Sequence, residues 1–429
     1  MKFQTPKGTR DYIQEDAAGL QKVIDVIRSV FEKYGFSPMF TPAFEDFSLL
    51  SAKGGLGESV KDEIYYFKDK SERELGLIFD LTMPLVRVVA SNPQIPKPFK
   101  RYSVSRVWRY DNPQAMRYRE FWQTDIDIVG SGSMAADAEC LAVVCECMER
   151  LGFQDFFIRM NNRKMIQSAF SEFVEPEKMK DVLRIVDKMD KIGADGVKAD
   201  LEKVVDKKAV SKIMGFLKIS GSNASILKKV KDRYGDNEGV KELQSLIEYA
   251  KEMGMLKRLK IDLSVVRGLD YYTGPVFEVE LGAGVSCGGG GRYDNLVNAV
   301  GGADLSATGI SLGVSRIFDV MKNNGMLKSL SSPTKVFVAS TESSLLPQAI
   351  KVARNVRKIK GVSCDIELSG RNLSKQLEYA NSIGADYVVI VGREELKEEK
   401  YVLKDMKMKV EDKLKMGELI KKLKQVVKT

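Results

Sequence analysis

Two long runs, Arg101 to Asp111 and Arg117 to Val129, stand on either side of a turn at Asn112-Pro113. Extended runs that fold back across so short a turn read as paired antiparallel strands, and they commit this part of the chain to an antiparallel sheet. Successive side chains on a strand point to opposite faces, so Arg109 and Asp111 share a face with Val107, and Gln123, Asp125 and Asp127 share a face on the return strand. Burying that much charge without partners is costly. The face is therefore either solvated or built around a ligand. Aromatic residues interleave with the arginines, which suits stacking on a base with phosphates nearby.

The flanking segments supply further elements. Residues 15–34 read as a helix, with Val23, Ile24, Ile27, Val30 and Phe31 at helical spacing and Gly35 as a stop. Pro38 and Pro42 keep the next stretch extended. Residues 63–67 and 75–79 read as strands. Asp80, Leu81 and Thr82 follow, and a helix begins at Met83 with Pro84 in its first turn. Asp80 and Thr82 either cap that helix or face a ligand. A helix over 135–151 carries Cys140, Cys145 and Cys147 as core, and 156–160 is a strand. From about 174 to 260 the spacing is helical and strand signal is scarce, which marks a helical insertion.

Strands resume at Ile261 and run through VVRGLDYYTGPVFE, ending at Glu278. This stretch sets Arg267 close to Tyr271 and Tyr272; the glycines Gly288 to Gly291 follow, then Arg292, Tyr293 and Asp294. A cation, two phenols and a close backbone approach suit a pocket for a small polar molecule with an anionic partner. A strand with amphipathic aromatics and a glycine hairpin is the structural alternative. Residues 305–312 read as a strand and 313–320 as a helix with Arg316 in its first turn. The helix dipole disfavours a cation there, so Arg316 points to an anion. Residues 328–334 form a linker. Beyond it VFVAS, VSCDIEL and YVVIVG alternate with helices, the pattern of a small α/β domain with parallel strands, and a lysine-rich helix runs from Glu411. From Pro333 onward there are 20 Lys plus Arg against 13 Asp plus Glu. That excess suits either a nucleic-acid partner or a solvated lysine-rich surface.

The 429 residues contain no histidine. Ser-His-Asp and Cys-His nucleophile systems and histidine metal sites are thereby excluded. Chemistry here must rest on positioning and fixed charge, the style of phosphoryl and nucleotidyl transfer. Five cysteines without framework spacing imply reduced thiols in a cytoplasm, and no cysteine pairing matches a zinc site. With neither an apolar signal core nor a membrane-length apolar run, export and membrane insertion are not expected.

RVWRYDNPQAMRYREFWQTDIDIVG resembles the second signature motif of class II aminoacyl-tRNA synthetases, GISLGVSRIF the third, and the first helix leading into GFSPMFTPAFED the first. VVRGLDYYTGPVFE with GGGGRYDNLV resembles the stretch peculiar to histidyl-tRNA synthetases. PKGTRD, Asp80 to Thr82 and the C-terminal α/β pattern fit the same family. The resemblance implies an α+β fold: an antiparallel class II catalytic domain over 1–173 and 261–327, a helical insertion over 174–260, and an anticodon-binding α/β domain over 333–429. It implies activation of L-histidine by ATP, carried with Mg2+, then transfer to the 3′ end of tRNA(His), by a cytoplasmic homodimer.

The resemblance also implies roles. Arg109 holds the α-phosphate and the histidine carboxylate, and Arg267 sits at the α-phosphate; these two are the catalytic pair. Arg316, with Arg117, takes the terminal phosphates, Phe121 stacks on adenine, and Asp111 contacts it. Asp80, Leu81, Thr82 and Gln123 surround the amino group. Asp127 and Tyr272 bond the imidazole beside Tyr271. Gln114 and Arg119 reach the acceptor end of tRNA. Departures from the family pattern are Trp108 for Phe, Asp111 for Glu, Trp122 for an often-found histidine, and Asp80 and Asp127 where bacterial members often have Glu. A regulatory paralogue in histidine biosynthesis is the alternative, but such relatives lack the C-terminal domain and tend to lose the reactive arginines.

Overall fold

In a computed structural model, residues 3–52, 63–266, 271–329 and 334–427 are described. The chain divides into two units, Met1–Leu327 and Lys328–Thr429. The first unit contains β1 (Ser37–Pro38), β2 (Phe44–Asp46), β3 (Tyr66–Lys68), β4 (Glu74–Leu77), β5 (Phe99–Trp108), β6 (Glu120–Val129), β7 (Phe156–Asn162), β8 (Leu259–Ile261), β9 (Pro275–Leu281), β10 (Val285–Arg292) and β11 (Ala307–Leu312). Eight of these form one sheet in the order β1-β5-β6-β11-β10-β9-β7-β8, and β2-β4-β3 form a small second sheet. Within the large sheet only the outermost pairs, β1 with β5 and β7 with β8, are parallel.

The expected hairpin is β5–β6, paired from Phe99 opposite Val129 to Trp108 opposite Glu120. Its turn lies beyond Asn112-Pro113. Gln114 and Arg117 exchange backbone bonds of 3.1 and 3.0 Å, and Met116 takes φ 61° to reverse the chain. Pro113 has no N–H to donate, so the bridge closes one residue further on. The glycine run is likewise not a hairpin. Gly288–Gly291 lie inside β10, between β9 and β11. A Cβ on Gly290 would lie 2.0 Å from Gly309 O, so the two central strands approach where no side chain fits.

Helices cover the other side. Gln14–Lys33 buries Val23, Ile24, Ile27, Val30 and Phe31 and packs against Met134–Arg150 and Val314–Asn323. Cys140, Cys145 and Cys147 are buried on Met134–Arg150. The insertion comprises Pro176–Val186, Met189–Leu201, Lys207–Leu217, Asn223–Tyr234 and Glu238–Glu252, and the last of these packs on Met134–Arg150.

The second unit holds β12 (Thr334–Ser340), β13 (Val362–Ile366), β14 (Tyr387–Val391), β15 (Lys400–Asp405) and β16 (Glu411–Lys415), ordered β13-β12-β14-β15-β16. The first three are parallel, as expected; β15 and β16 add an antiparallel pair. Residues 411–415 are thus a strand, and the lysine-rich helix starts at Met416. A turn decides this. Asp405 Oδ1 accepts from the Lys407 and Met408 amides at 2.8 Å, and Lys409 takes φ 56°, so the polar segment folds back onto β15.

Candidate active site

A cleft of about 1210 Å³ opens on the sheet face away from the helices. Its floor is set by cross-strand register. Arg101 on β5 faces Asp127 on β6, and Asp125 faces Ser311 on β11. Arg101 and Asp127 form an ion pair of 2.6 Å, with Arg101 wholly buried. Arg101 Nη2 also donates to Leu81 O at 2.9 Å, and Tyr293 Oη donates to Asp127 Oδ1. Asp80 and Asp125 are buried too, so three carboxylates share this floor with one buried guanidinium. Burial pushes Asp125 up to about 7, against the pull of Arg101 and with the push of Asp127. Asp127 is raised mainly by burial as well, with Arg101 and Tyr293 opposing. Gly309 makes room for this arrangement, since a Cβ there would lie 2.0 Å from Asp127 Oδ1.

At this end of the cleft Asp80, Thr82, Gln123, Asp127, Tyr271 and Tyr272 line one space. Asp80 stands beside a helix start and at the cleft wall. Its Oδ1 accepts from the Met83 amide at 3.1 Å, tying down the start of the helix Thr82–Ser91, and it still borders the cleft. Gln123 Nε2 donates to Asp125 Oδ1 at 2.9 Å. The Tyr271 and Tyr272 rings lie 4.6 Å apart, and Tyr271 meets Tyr293 edge-on at 6.0 Å. Burial drives the phenols of Tyr271 and Tyr293 well above their ordinary range, so both stay protonated donors.

The other end is cationic. Arg109 Nε donates to Phe79 O at 3.0 Å, and its guanidinium stands 5.3 Å from the Phe121 ring. Arg117 and Asp111 pair at 3.0 Å. Arg316, on Val314–Asn323, donates to the backbone oxygens of Met116 and Ser286. Arg109, Asp111, Arg117 and Arg316 all line the cleft with Phe121.

Three expected residues stand apart. Leu81 packs with Ile78 and Val107 in a small core and offers the cleft floor only its carbonyl, to Arg101. Gln114 sits in the hairpin turn. Arg119 donates to Asp111 O at 3.0 Å and lies 4.2 Å from the Tyr110 ring. Arg267 lies outside the described residues. The sequence reading gave no role to Arg101, Tyr293 or Arg10. Arg10 donates to Tyr118 Oη at 2.9 Å and Asp319 Oδ1 at 2.8 Å, and it lies 4.3 Å from the Tyr12 and Tyr118 rings. It ties PKGTRD to the hairpin and to the Val314–Asn323 helix. Among the described residues, no cluster of three or more Cys, Asp or Glu could hold a metal ion.

An antiparallel sheet whose motif residues converge on such a cleft defines a class II aminoacyl-tRNA synthetase catalytic domain. A family model described as histidyl-tRNA synthetase matches residues 8–317, and one described as anticodon binding domain matches 335–426. The chain is 37% identical over 431 residues to the histidine–tRNA ligase of Clostridium tetani, covering 97% of each. It is 38% identical over 428 residues to that of Korarchaeum cryptofilum, covering 98% of each. The crystal structure of histidyl-tRNA synthetase from Nostoc sp. PCC 7120 superposes with a TM-score of 0.84 at 32% identity, covering 99% of both chains. The chain belongs to the histidyl-tRNA synthetase family.

Proposed function

We propose that this chain is a histidine–tRNA ligase. It joins L-histidine to ATP as histidyl-adenylate, then passes the histidyl group to the 3′ end of tRNA(His). One observation carries the reading: a carboxylate-floored pocket and a cluster of arginines open into a single cleft. The first suits an ammonium group and a ring N–H donor, the second a polyphosphate.

In the first step a histidine carboxylate oxygen bonds to the α-phosphorus, and the bond to the bridging oxygen breaks, releasing pyrophosphate. Negative charge grows on the α-phosphoryl oxygens, and Arg109 and Arg267 are assigned to it. One preorganised donor of this kind is worth about 3 kcal/mol. Phe121, already beside a guanidinium, is assigned to adenine, with Asp111 at its edge. Arg117 and Arg316 take the terminal phosphates, which enter with Mg2+. Arg117 must exchange Asp111 for phosphate, a charge-for-charge swap. Asp80, Thr82 and Gln123 receive the ammonium, with Leu81 holding the floor through its carbonyl. Asp127 and Tyr272 bond the imidazole, and Tyr271 walls it in. In the second step the tRNA hydroxyl oxygen attacks the acyl carbon and AMP leaves; Gln114 and Arg119 are assigned to the acceptor end.

The domain division 1–173, 174–260, 261–327 and 333–429 goes with this reading. So does a homodimer, favoured by Phe40, Phe44 and Phe67, which are 84, 48 and 37% exposed on the β1–β4 side. No helix among the described residues is long and apolar enough to cross a membrane, and a cytoplasmic place is proposed. Histidine-dependent exchange of pyrophosphate into ATP, followed by charging of tRNA(His), tests the whole. A folded protein with no histidine-dependent exchange would favour the regulatory-subunit alternative.

A further inference from the structure

Gln123 and Asp125 lie two residues apart on β6, so their side chains share the side of the strand that faces the cleft. Both are buried, and Gln123 Nε2 donates to Asp125 Oδ1 at 2.9 Å. Ser311, the register partner of Asp125 on β11, bonds the same carboxylate. Above about pH 7 Asp125 is ionised, and an ionised carboxylate only accepts. The amide of Gln123 has a donor end and an acceptor end. With the donor end held against Asp125, the end turned away from it is the carbonyl oxygen. An oxygen there attracts an ammonium group; an NH2 in the same place repels one.

We propose that Asp125 is a positioning residue that fixes the amide of Gln123 and so selects an amino-acid substrate bearing a free ammonium group. The inference rests on the cleft being the histidine-activating site. Asp125 acts through Gln123 and needs no contact with substrate. Without it, the two orientations of the amide become close in energy, and the wrong one presents hydrogens to a cation.

The test uses the full chain at pH 8, with histidine-dependent pyrophosphate exchange and two competing inhibitors. Histidinol keeps the ring and the ammonium group. 3-(Imidazol-4-yl)propionate keeps the ring and the carboxylate but has no ammonium. Asp125→Ala should raise the histidine KM and the histidinol Ki about tenfold, the worth of one oriented hydrogen bond, while kcat, the ATP KM and the propionate Ki stay within about twofold. Asp125→Asn keeps an oxygen that accepts from Gln123 Nε2 and should recover most of the loss. Should Asp125→Ala fail to fold, Asp125→Val removes the acceptor while filling the space and carries the same comparison. Equal weakening of both inhibitors, or no recovery in Asp125→Asn, overturns the inference. Wild-type protein with no histidine-dependent exchange overturns the underlying reading of the site. Normal wild-type exchange with undiscriminating variants overturns this inference alone.

Discussion

Replacing Arg101 with Met asks how much one buried cation holds the cleft floor together. Arg101 has no exposed surface and sits 2.6 Å from Asp127 Oδ2. Met fills much the same space, so the chief loss is charge. Removing one partner of a buried pair costs about 3–5 kcal/mol, because the other is left buried and uncompensated. Against a domain stability of about 5–15 kcal/mol that is a large fraction. The pH dependence has a definite sign. Burial has already raised Asp125 to about 7 and raised Asp127, so between about pH 4 and 7 the folded chain binds protons that the unfolded chain does not. These groups favour folding at low pH, and that contribution is lost as pH rises. Loss of Arg101 raises both further. The deficit of Arg101→Met should therefore be smaller at pH 5 than at pH 8. The two tryptophans, Trp108 and Trp122, lie on β5 and β6, so urea unfolding followed by tryptophan fluorescence reports on this unit. Adding Asp127→Asn to Arg101→Met should return about 2 kcal/mol or more of the loss at pH 8. A deficit equal at both pH values, with no recovery in the double variant, would mean that lost packing is the cause and refute the charge account.

Gly309→Ala should displace Asp127, whose Oδ1 would lie 2.0 Å from the new Cβ; the histidine KM rises about tenfold or more and the ATP KM holds, and an unchanged histidine KM in exchange kinetics counts against it. Arg10→Gln should release the PKGTRD segment from Tyr118 and Asp319, raising the ATP KM and lowering the melting temperature by a few degrees, about 1–2 kcal/mol in a unit of this size; Arg10→Lys should restore only part, since ammonium lacks the planar fork whose second arm, Nη2, donates to Tyr12 Oη. Arg267→Ala should lower kcat for exchange about 10²–10³-fold with the histidine KM little changed; a fall in both together would make Arg267 a binding residue. A chain with no histidine codons should keep its relative synthesis under histidine starvation, and a decline in ribosome profiling matching histidine-rich proteins would sink that idea.

Element type was legible wherever one periodicity ruled: the helix Gln14–Lys33, the insertion helices and the parallel strands β12, β13 and β14 follow their apolar spacing. Register was less so, because it hangs on where the chain turns. A turn centred on Asn112-Pro113 sets Arg101 opposite Thr124; in the structure it stands opposite Asp127, with residues 109–113 on one arm against 118–119 on the other before the turn at Gln114–Arg117. That shift is why the buried cation of the site went unread while its carboxylate did not. Tyr293 was hidden differently: it follows a strand of glycines, and nothing local says that β10 runs two strands from β6 and aims its phenol at Asp127. Arg10 meets Asp319 across 309 residues, a contact no local pattern encodes.

The register explains the polarity of the cleft as well as its shape. Arg101 is spent on Asp127 and on a backbone carbonyl, so above about pH 7, where Asp125 is ionised, the floor keeps a net negative charge despite its buried cation. Three further cations of the cleft, Arg109, Arg117 and Arg316, hang from the hairpin end, the turn and the Val314–Asn323 helix, beyond the carboxylate floor. The ammonium group of an amino acid and a polyanion can therefore each lie in a field of the opposite sign, with the substrate carboxylate and the α-phosphate brought together where the fields meet. Charge arranged in this way needs no imidazole of the protein's own, which is how a protein without histidine can still activate one.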